Sequence, residues 1–373
     1  MRLAERVIEF AIQIQQIPAP TFGEGKRAEF VRGLFEKEGL SDVSVDEVGN
    51  VMGRFQVVGR RSQVKPLIVS AHLDTVFPGE TDLQVRREGD KVFGPGIGDN
   101  SLGVAALFGL LWGLRTSPPA PLLKGEGSRD IWFVANVGEE GLGDLRGMKA
   151  VVDRFGAEVT GYLVLEGMAL GSVYHRGTGV KRYRITAKTA GGHSWSDYGK
   201  PSAIHELSKL VVELTSLKLP ETPRTTMNVG KISGGTSINV IASEASLELD
   251  LRSEEQESLA ELISKVEKKI GEASQADVAF EAEVIGARPA GEISKDHPLI
   301  QLAQECIREQ GLEPALTSGS TDANIPFSKG HPALVLGITS GGGAHTVNEF
   351  INTKPIEKGL EQLISFVRSI PNL

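Results

Sequence analysis

The sequence predicts an α/β fold in which a mostly parallel central sheet, flanked by helices, is interrupted by a smaller α+β domain. Two observations carry this expectation. Four short apolar runs, Leu67–Ala71, Ile131–Ala135, Tyr162–Leu165 and Ala333–Leu336, have the uniform hydrophobicity of strands buried on both faces. Between roughly residues 178 and 287 the pattern changes to alternating strands and amphipathic helices in the order β-α-β-β-α-β, a ferredoxin-like arrangement. The chain is therefore expected to divide into one domain built from residues 1–177 and 288–373, and an inserted domain over residues 178–287.

A length of 373 residues suits two domains, and 40% hydrophobic with 24% charged residues suits a globular core. A net charge of −8 argues against a nucleic-acid partner, because a phosphate backbone is met by Lys and Arg. The longest apolar run, Gly103–Leu114, falls short of the roughly 20 residues that span a bilayer, so no membrane is expected. The N-terminus, Met1 to Arg6, is charged and amphipathic and has no signal-peptide core. A single cysteine, Cys306, excludes an internal disulfide and fits a reducing compartment, so the expected location is the cytoplasm.

In chain order, Glu5–Gln16 and Gly25–Glu38 read as helices separated by the breaker Pro18-Ala19-Pro20. A strand pair follows around Ser44–Val57, turning at Gly49-Asn50. After the first apolar run comes helix Ser101–Leu114, and Pro118–Ser128 reads as an exposed loop. In the insert, Tyr183, Ile185 and Ala187 alternate with Arg182, Arg184 and Thr186, the period of a half-buried strand. A helix with Ile204, Leu207, Leu210, Val211 and Leu214 on one face follows, then strands Thr226–Ile232 and Ala245–Arg252. A second helix uses Leu259, Leu262, Ile263, Val266 and Ile270, and a last strand covers Val278–Val284. The first domain resumes near Ala290 and closes with helix Ile356–Ile370.

Polar residues stand where the buried strands end. The first run is followed by His72 and Asp74 and then Gly96-Ile97-Gly98-Asp99-Asn100, the second by Glu139-Glu140, the third by Glu166, and the fourth by a glycine-rich loop with His345. Ligands gather outside the carboxyl ends of parallel strands. Two imidazoles and three carboxylates at one such edge can hold two metal ions, each taking one imidazole and one terminal carboxylate while the remaining carboxylate bridges. Zinc accepts this nitrogen and oxygen set, whereas magnesium and calcium prefer oxygen alone. Asp74 would accept the second ring N–H of His72, and Glu139, beside a ligand, would be the general base.

Each residue alone has a plainer reading. Asp99 or Asn100 suits a helix N-cap, Glu139-Glu140 a solvated pair, Glu166 an exposed strand end and His345 a loop histidine. Gly191-Gly192-His193-Ser194-Trp195 reads as a turn with an exposed histidine, Asn239 as a turn residue and Arg252 as a solvated strand-end charge. His175, His205, His297 and His331 are read as structural, with His297 at a helix start before Pro298. Cys306 shares a face with Leu299, Ala303 and Ile307 and reads as a buried thiol.

Taken together, the motifs resemble the dinuclear zinc exopeptidases and deacylases that include peptidase T, glutamate carboxypeptidase and acetylornithine deacetylase. The resemblance spans nearly the whole chain. It rests on Ser70–Val76, Gly94–Asn100, Glu139-Glu140, Gly191–Ser194 and Gly343–Glu349. It implies His72, Asp99, Glu140, Glu166 and His345 as metal ligands with Asp99 bridging, and Glu139 as the base. It implies two zinc ions, with cobalt or manganese as possible substitutes, and a catalytic domain with an inserted lid. By the same resemblance His193 stabilises the oxyanion, from the partner subunit in dimeric relatives, and Asn239 and Arg252 hold the substrate's carboxylate or backbone.

The activity this implies is hydrolysis of a terminal amide bond of a small peptide by a water that two zinc ions activate. Gly319–Asn324 and the surroundings of His345 look most like peptidase T, whose relatives remove N-terminal residues. Glu166 departs from that pattern, since aminopeptidase members tend to carry Asp there, and carboxypeptidases and deacylases Glu. An N-acyl-amino-acid deacylase or a glutamate-carboxypeptidase-like enzyme is therefore the alternative. A non-catalytic relative would have lost a ligand or the base, and a serine hydrolase would need a strand–elbow–helix around its nucleophile; neither pattern is present. The expected partners are a small peptide or N-acyl amino acid and a second copy of the chain, joined through the lid.

Overall fold

The computed structural model describes residues 2–56, 65–116 and 130–370, and the expected loop Pro118–Ser128 lies outside them. Two compact units emerge, one from Met1–Gly177 with Glu292–Leu373, the other from Thr178–Gly291. The second unit includes residues 288–291, beyond the 287 expected from the sequence. Strand Ala279–Arg288 runs on past Val284, and the Ala290 N–H donates to Gln256 Oε1 at 3.0 Å, which holds this stretch in the insert.

The core of the first unit is a nine-stranded sheet. Its centre has the spatial order Asp130–Asn136, Leu67–His72, Gly161–Glu166, Ala333–Gly337. All three contacts among these strands are parallel, with His72 opposite Asn136, Leu67 opposite Gly161, and Gly337 opposite Glu166. The four apolar runs are thus the centre of the sheet, and their carboxyl ends lie along one edge. Antiparallel strands flank them, Val51–Gln56 on one side and Ser172–Gly177 on the other.

Helix Leu102–Thr116 is apolar on nearly every face, so it is stable only when surrounded, and Leu102 through Gly113 are all buried. With the turn before it, Ile97–Thr116 has 20 residues and is long and apolar enough to cross a membrane, which the uninterrupted run Gly103–Leu114 had understated. It is a core helix, almost entirely inside the first unit.

The second unit is a four-stranded antiparallel sheet in the order Thr225–Gly234, Glu244–Ser253, Gly179–Lys188, Ala279–Arg288. Helices Ala203–Thr215 and Gln256–Ala273 bury Leu207, Leu210, Leu214, Leu259, Leu262 and Val266 against Tyr183, Ile185, Leu247, Leu249 and Leu251. Four strands and two helices follow the order β-α-β-β-α-β, with the first and third strands central in the sheet, which is the ferredoxin-like order.

Candidate functional site

The site grows from the carboxyl edge of the central sheet. His72 is the last residue of its strand and is buried. Its Nε2 lies 3.1 Å from Asp99 Oδ1 and 3.8 Å from Glu166 Oε2. His345, delivered by the loop after strand Ala333–Gly337, places its Nε2 3.1 Å from Asp99 Oδ2 and 3.3 Å from Glu140 Oε1. The two oxygens of Asp99 therefore face different imidazoles, and each imidazole has a carboxylate of its own.

Local structure explains how five residues from four loops meet. Gly96 has a φ of +72°, a left-handed conformation, and a Cβ there would stand 2.7 Å from Thr75 Cγ2. Asn100 ties the Asp99 loop to the end of the Glu166 strand. Its Nδ2 donates to Leu165 O at 2.8 Å, while its Oδ1 accepts from Gly167 N at 2.9 Å and Gly103 N at 3.1 Å. The last bond makes Asn100 the cap of the following helix, so the plain reading of this pair holds for Asn100 while Asp99 is turned to the histidines. Gly167 permits the approach, since a Cβ on it would stand 2.1 Å from Gly98 O.

Asp74 faces His72 with both its carbonyl and its carboxylate. The nearest acceptor for His72 Nδ1 is the Asp74 backbone carbonyl at 3.0 Å, with the carboxylate at 3.5 Å. The carboxylate has further partners: Oδ1 accepts from Glu139 N and Oδ2 from Glu140 N, each at 2.9 Å, and Oδ2 also from Thr21 Oγ1 at 2.9 Å. Asp74 thus fixes the loop that carries Glu139 and Glu140, and its carbonyl fixes the His72 ring. The buried Arg27 in turn holds the residue between them, donating to Leu73 O at 2.7 Å.

The electrostatics show what this cluster needs. Burial alone would lower the His72 pKa, but hydrogen bonding to Asp74 and Asp99 and the charges of Glu166 and Glu139 raise it well above the ordinary value. His345 is raised to about 10, first by its bond to Asp99 and then by Glu140. Burial pushes Glu166 well up, with Asp99, Glu139 and Asp322 adding to the effect and His72 opposing it. Burial also opposes ionisation of Asp99, yet the two histidines hold it below the carboxylate range. A group of carboxylates this dense requires positive charge beside it.

A pair of divalent cations meets that need, and the donor set fits. Bonds of about 2.0–2.2 Å in tetrahedral geometry set ligand atoms about 3.3–3.6 Å apart, close to the spacings above. Glu140 Oε1 is buried and, apart from its ion-pair approach to His345, has no hydrogen-bond partner among the described residues, as an oxygen reserved for a cation would be. His72, Asp99 and Glu140 bring one ligand atom each within 4.8 Å of one another.

Two buried acids escaped the sequence reading of single residues. Asp322 accepts from Asn136 Nδ2 at 2.6 Å and acts electrostatically on Glu166. Glu349 is fully buried, and its carboxylate accepts from Gly96 N at 3.1 Å, Gly98 N at 2.7 Å and Asp99 N at 2.8 Å. Burial raises its pKa to about 7. The signal for both was their place in the Gly319–Asn324 and Gly343–Glu349 segments.

His193, Asn239 and Arg252 belong to the second unit and are exposed. His193 Nδ1 accepts from Trp195 N at 3.2 Å and Ser196 N at 3.4 Å, which leaves the ring proton on Nε2. His193 pairs with Val240, and Ser194 N donates to Asn239 O at 3.0 Å, so His193 and Asn239 sit at one small antiparallel strand pair, Gly192–His193 with Val240–Ile241. Arg252 lies near the far end of strand Glu244–Ser253, gripping Asp250 through Nε at 2.7 Å. At about 3.3 Å per residue, the span along the strand from Glu244 to Arg252 is on the order of 26 Å.

The family model described as Peptidase family M20/M25/M40 matches residues 68–369. The uncharacterized protein YqjE of Bacillus subtilis is 24% identical over 382 residues, covering 97% of this chain and 98% of that one. A tripeptidase from Staphylococcus aureus superposes with a TM-score of 0.82 at 22% identity, over 99% of both chains. The aminopeptidase PepT from Bacillus cereus gives 0.78 at 20% identity, over 98% of both. The family match runs through the catalytic strands, the ligand cluster and the insert alike, and it places the chain in peptidase family M20/M25/M40, as a metallopeptidase hydrolase.

Proposed function

We propose that this protein is a two-zinc exopeptidase that cleaves a terminal amide bond of small peptides in the cytoplasm. The observation that carries the proposal is the division of Asp99, one carboxylate oxygen toward His72 and the other toward His345. His72 and Glu166 would hold one ion, His345 and Glu140 the other, and Asp99 would bridge them. Bound there, the ions supply Lewis acidity that polarises the amide carbonyl and acidifies water. Cobalt or manganese would satisfy the same donors.

Glu139 takes the proton of the attacking water and passes it to the leaving amine. Its position suits a general base, since it is buried, its backbone N–H is held by Asp74, and its charge acts on both His72 and Glu166. The Nε2 proton of His193 stabilises the developing oxyanion. Asn239 and Arg252 bind the substrate's carboxylate or backbone, the guanidinium by its planar fork.

The span of roughly 26 Å along the strand from Glu244 to Arg252 constrains who serves whom. A tripeptide extends only about 10 Å. If Arg252 and His193 touch the same small substrate, they come from two copies, and the insert is both lid and dimerisation domain. Mixing His193→Ala with Glu139→Ala protein tests this; restored activity is expected, and two inactive partners that remain inactive together would refute it.

Removal of N-terminal residues is supported by the likeness to a tripeptidase and to PepT. Glu166 favours the second reading, an N-acyl-amino-acid deacylase or a glutamate-carboxypeptidase-like enzyme. A panel of free-amino tripeptides, N-blocked dipeptides and N-acyl amino acids, with and without chelator, separates them. Chelator-sensitive cleavage of tripeptides from the amino end is expected, whereas cleavage of blocked substrates alone would transfer the protein to the second reading.

A further inference from the structure

We propose that Glu349 is a positioning residue for both metal ions, acting through the backbone of the Asp99 loop; this inference rests on the two-ion reading above. A fully buried carboxylate is costly unless hydrogen bonds meet it. Glu349 is met by three main-chain amides, Gly96, Gly98 and Asp99, at 2.7–3.1 Å, across some 250 residues of sequence. Three amides converging on one side chain pin the loop at Gly96, Gly98 and Asp99 in a concave nest. Gly94 N also donates to Glu349 O at 2.9 Å, so the loop is fastened at both its start and its ligand.

The geometry couples two ligands. His345 stands four residues before Glu349 on the same segment, and its Nε2 faces Asp99 Oδ2 at 3.1 Å. One segment thus delivers His345 and, through Glu349, sets the backbone from which Asp99 reaches both histidines. Loosening a terminal ligand disturbs chiefly one ion. Loosening Asp99 disturbs both, and that is the signature of this role.

The test is zinc binding to chelator-stripped protein, wild type against Glu349→Gln. Glutamine keeps an oxygen for Gly98 and Asp99 but turns an NH₂ toward the Gly96 N–H. The folded variant is expected to bind both zinc equivalents about 10–100-fold more weakly, the usual cost of removing an outer partner, with Glu140→Gln weakening mainly one. A variant that melts earlier yet binds both ions as wild type does would overturn the proposal and leave Glu349 a structural residue. If wild type itself fails to take up two equivalents, the two-ion reading fails instead. Hydrogen exchange of metal-stripped wild type decides the matter even if the variant does not fold. Slow exchange of the Gly94–Ser101 amides is expected, and fast exchange there would refute a brace present before metal.

Discussion

The two units hold their candidate residues in opposite ways. In the first, His72 and Glu140 are buried and Asp99 and Glu166 nearly so, while His345 is exposed but bound to Asp99, and loops are fastened by buried carboxylates, Asp74 beneath Glu139 and Glu140 and Glu349 beneath Asp99. In the second, His193 and Asn239 sit at an exposed strand pair of two residues each, with Trp195, Tyr198 and Ile238 exposed around them. The difference follows from charge. Several carboxylates can share a few ångströms only if a rigid scaffold holds them for cations, so the first unit invests in buried braces. Residues that meet a neutral amide or a single carboxylate carry no such repulsion, and an exposed strand pair suffices.

The comparison breaks most readily at its catalytic end. Glu139→Gln should lower kcat by about 10²–10⁴-fold while zinc content, measured by atomic absorption, stays at the wild-type value. Loss of zinc would instead make Glu139 a ligand. On the exposed side, His193→Ala should lower kcat by about 10²–10³-fold with zinc affinity untouched, because the bonds of His193 are to Trp195, Ser196, Asp197 and Val240 of its own unit. A change in zinc affinity there would erase the distinction between the units.

Smaller effects sharpen the contrast. Leu249 is buried in the core of the second unit, and Leu249→Ala should cost about 2–5 kcal/mol in denaturant unfolding of that unit. Zinc uptake by the first unit should survive it. Smallest is the effect of thiol reagents. Cys306 lies on the buried face of helix Pro298–Glu309, and burial pushes its thiol up to about 11. Labelling in native buffer should be slow and should leave activity unchanged until the protein unfolds.

What was legible in the sequence, and what was not, follows the same physics. Central parallel strands are apolar on both faces, so Leu67–His72, Gly161–Glu166 and Ala333–Gly337 announced themselves as runs, and their carboxyl ends pointed to His72, Glu166 and His345. Ser172–Gly177 and Ala315–Gly319 gave no such signal, because both are partly exposed and lack a clean alternation. Gly341–Gly342 and Phe350–Asn352 are too short to show any period. Buried acids are harder still. Glu349 has its partners some 250 residues away, and Asp74 spends its carboxylate on amides whose proximity only the fold creates. Arg27 carries no local signal of its place either: it is buried, donating to Ile17 O and Leu73 O. Asn100 shows the reverse: its capping role was visible locally, and the structure adds the ties to Leu165 and Gly167.

The central claim, that one aspartate joins two ions on which peptide hydrolysis depends, is tested most directly by titrating zinc into chelator-stripped protein while following tripeptide cleavage. Activity should be absent at the start, rise with added zinc and level off at two equivalents per chain, and Asp99→Asn should remove both uptake and turnover. Full cleavage without metal, or saturation at one equivalent with Asp99→Asn still active, would contradict it.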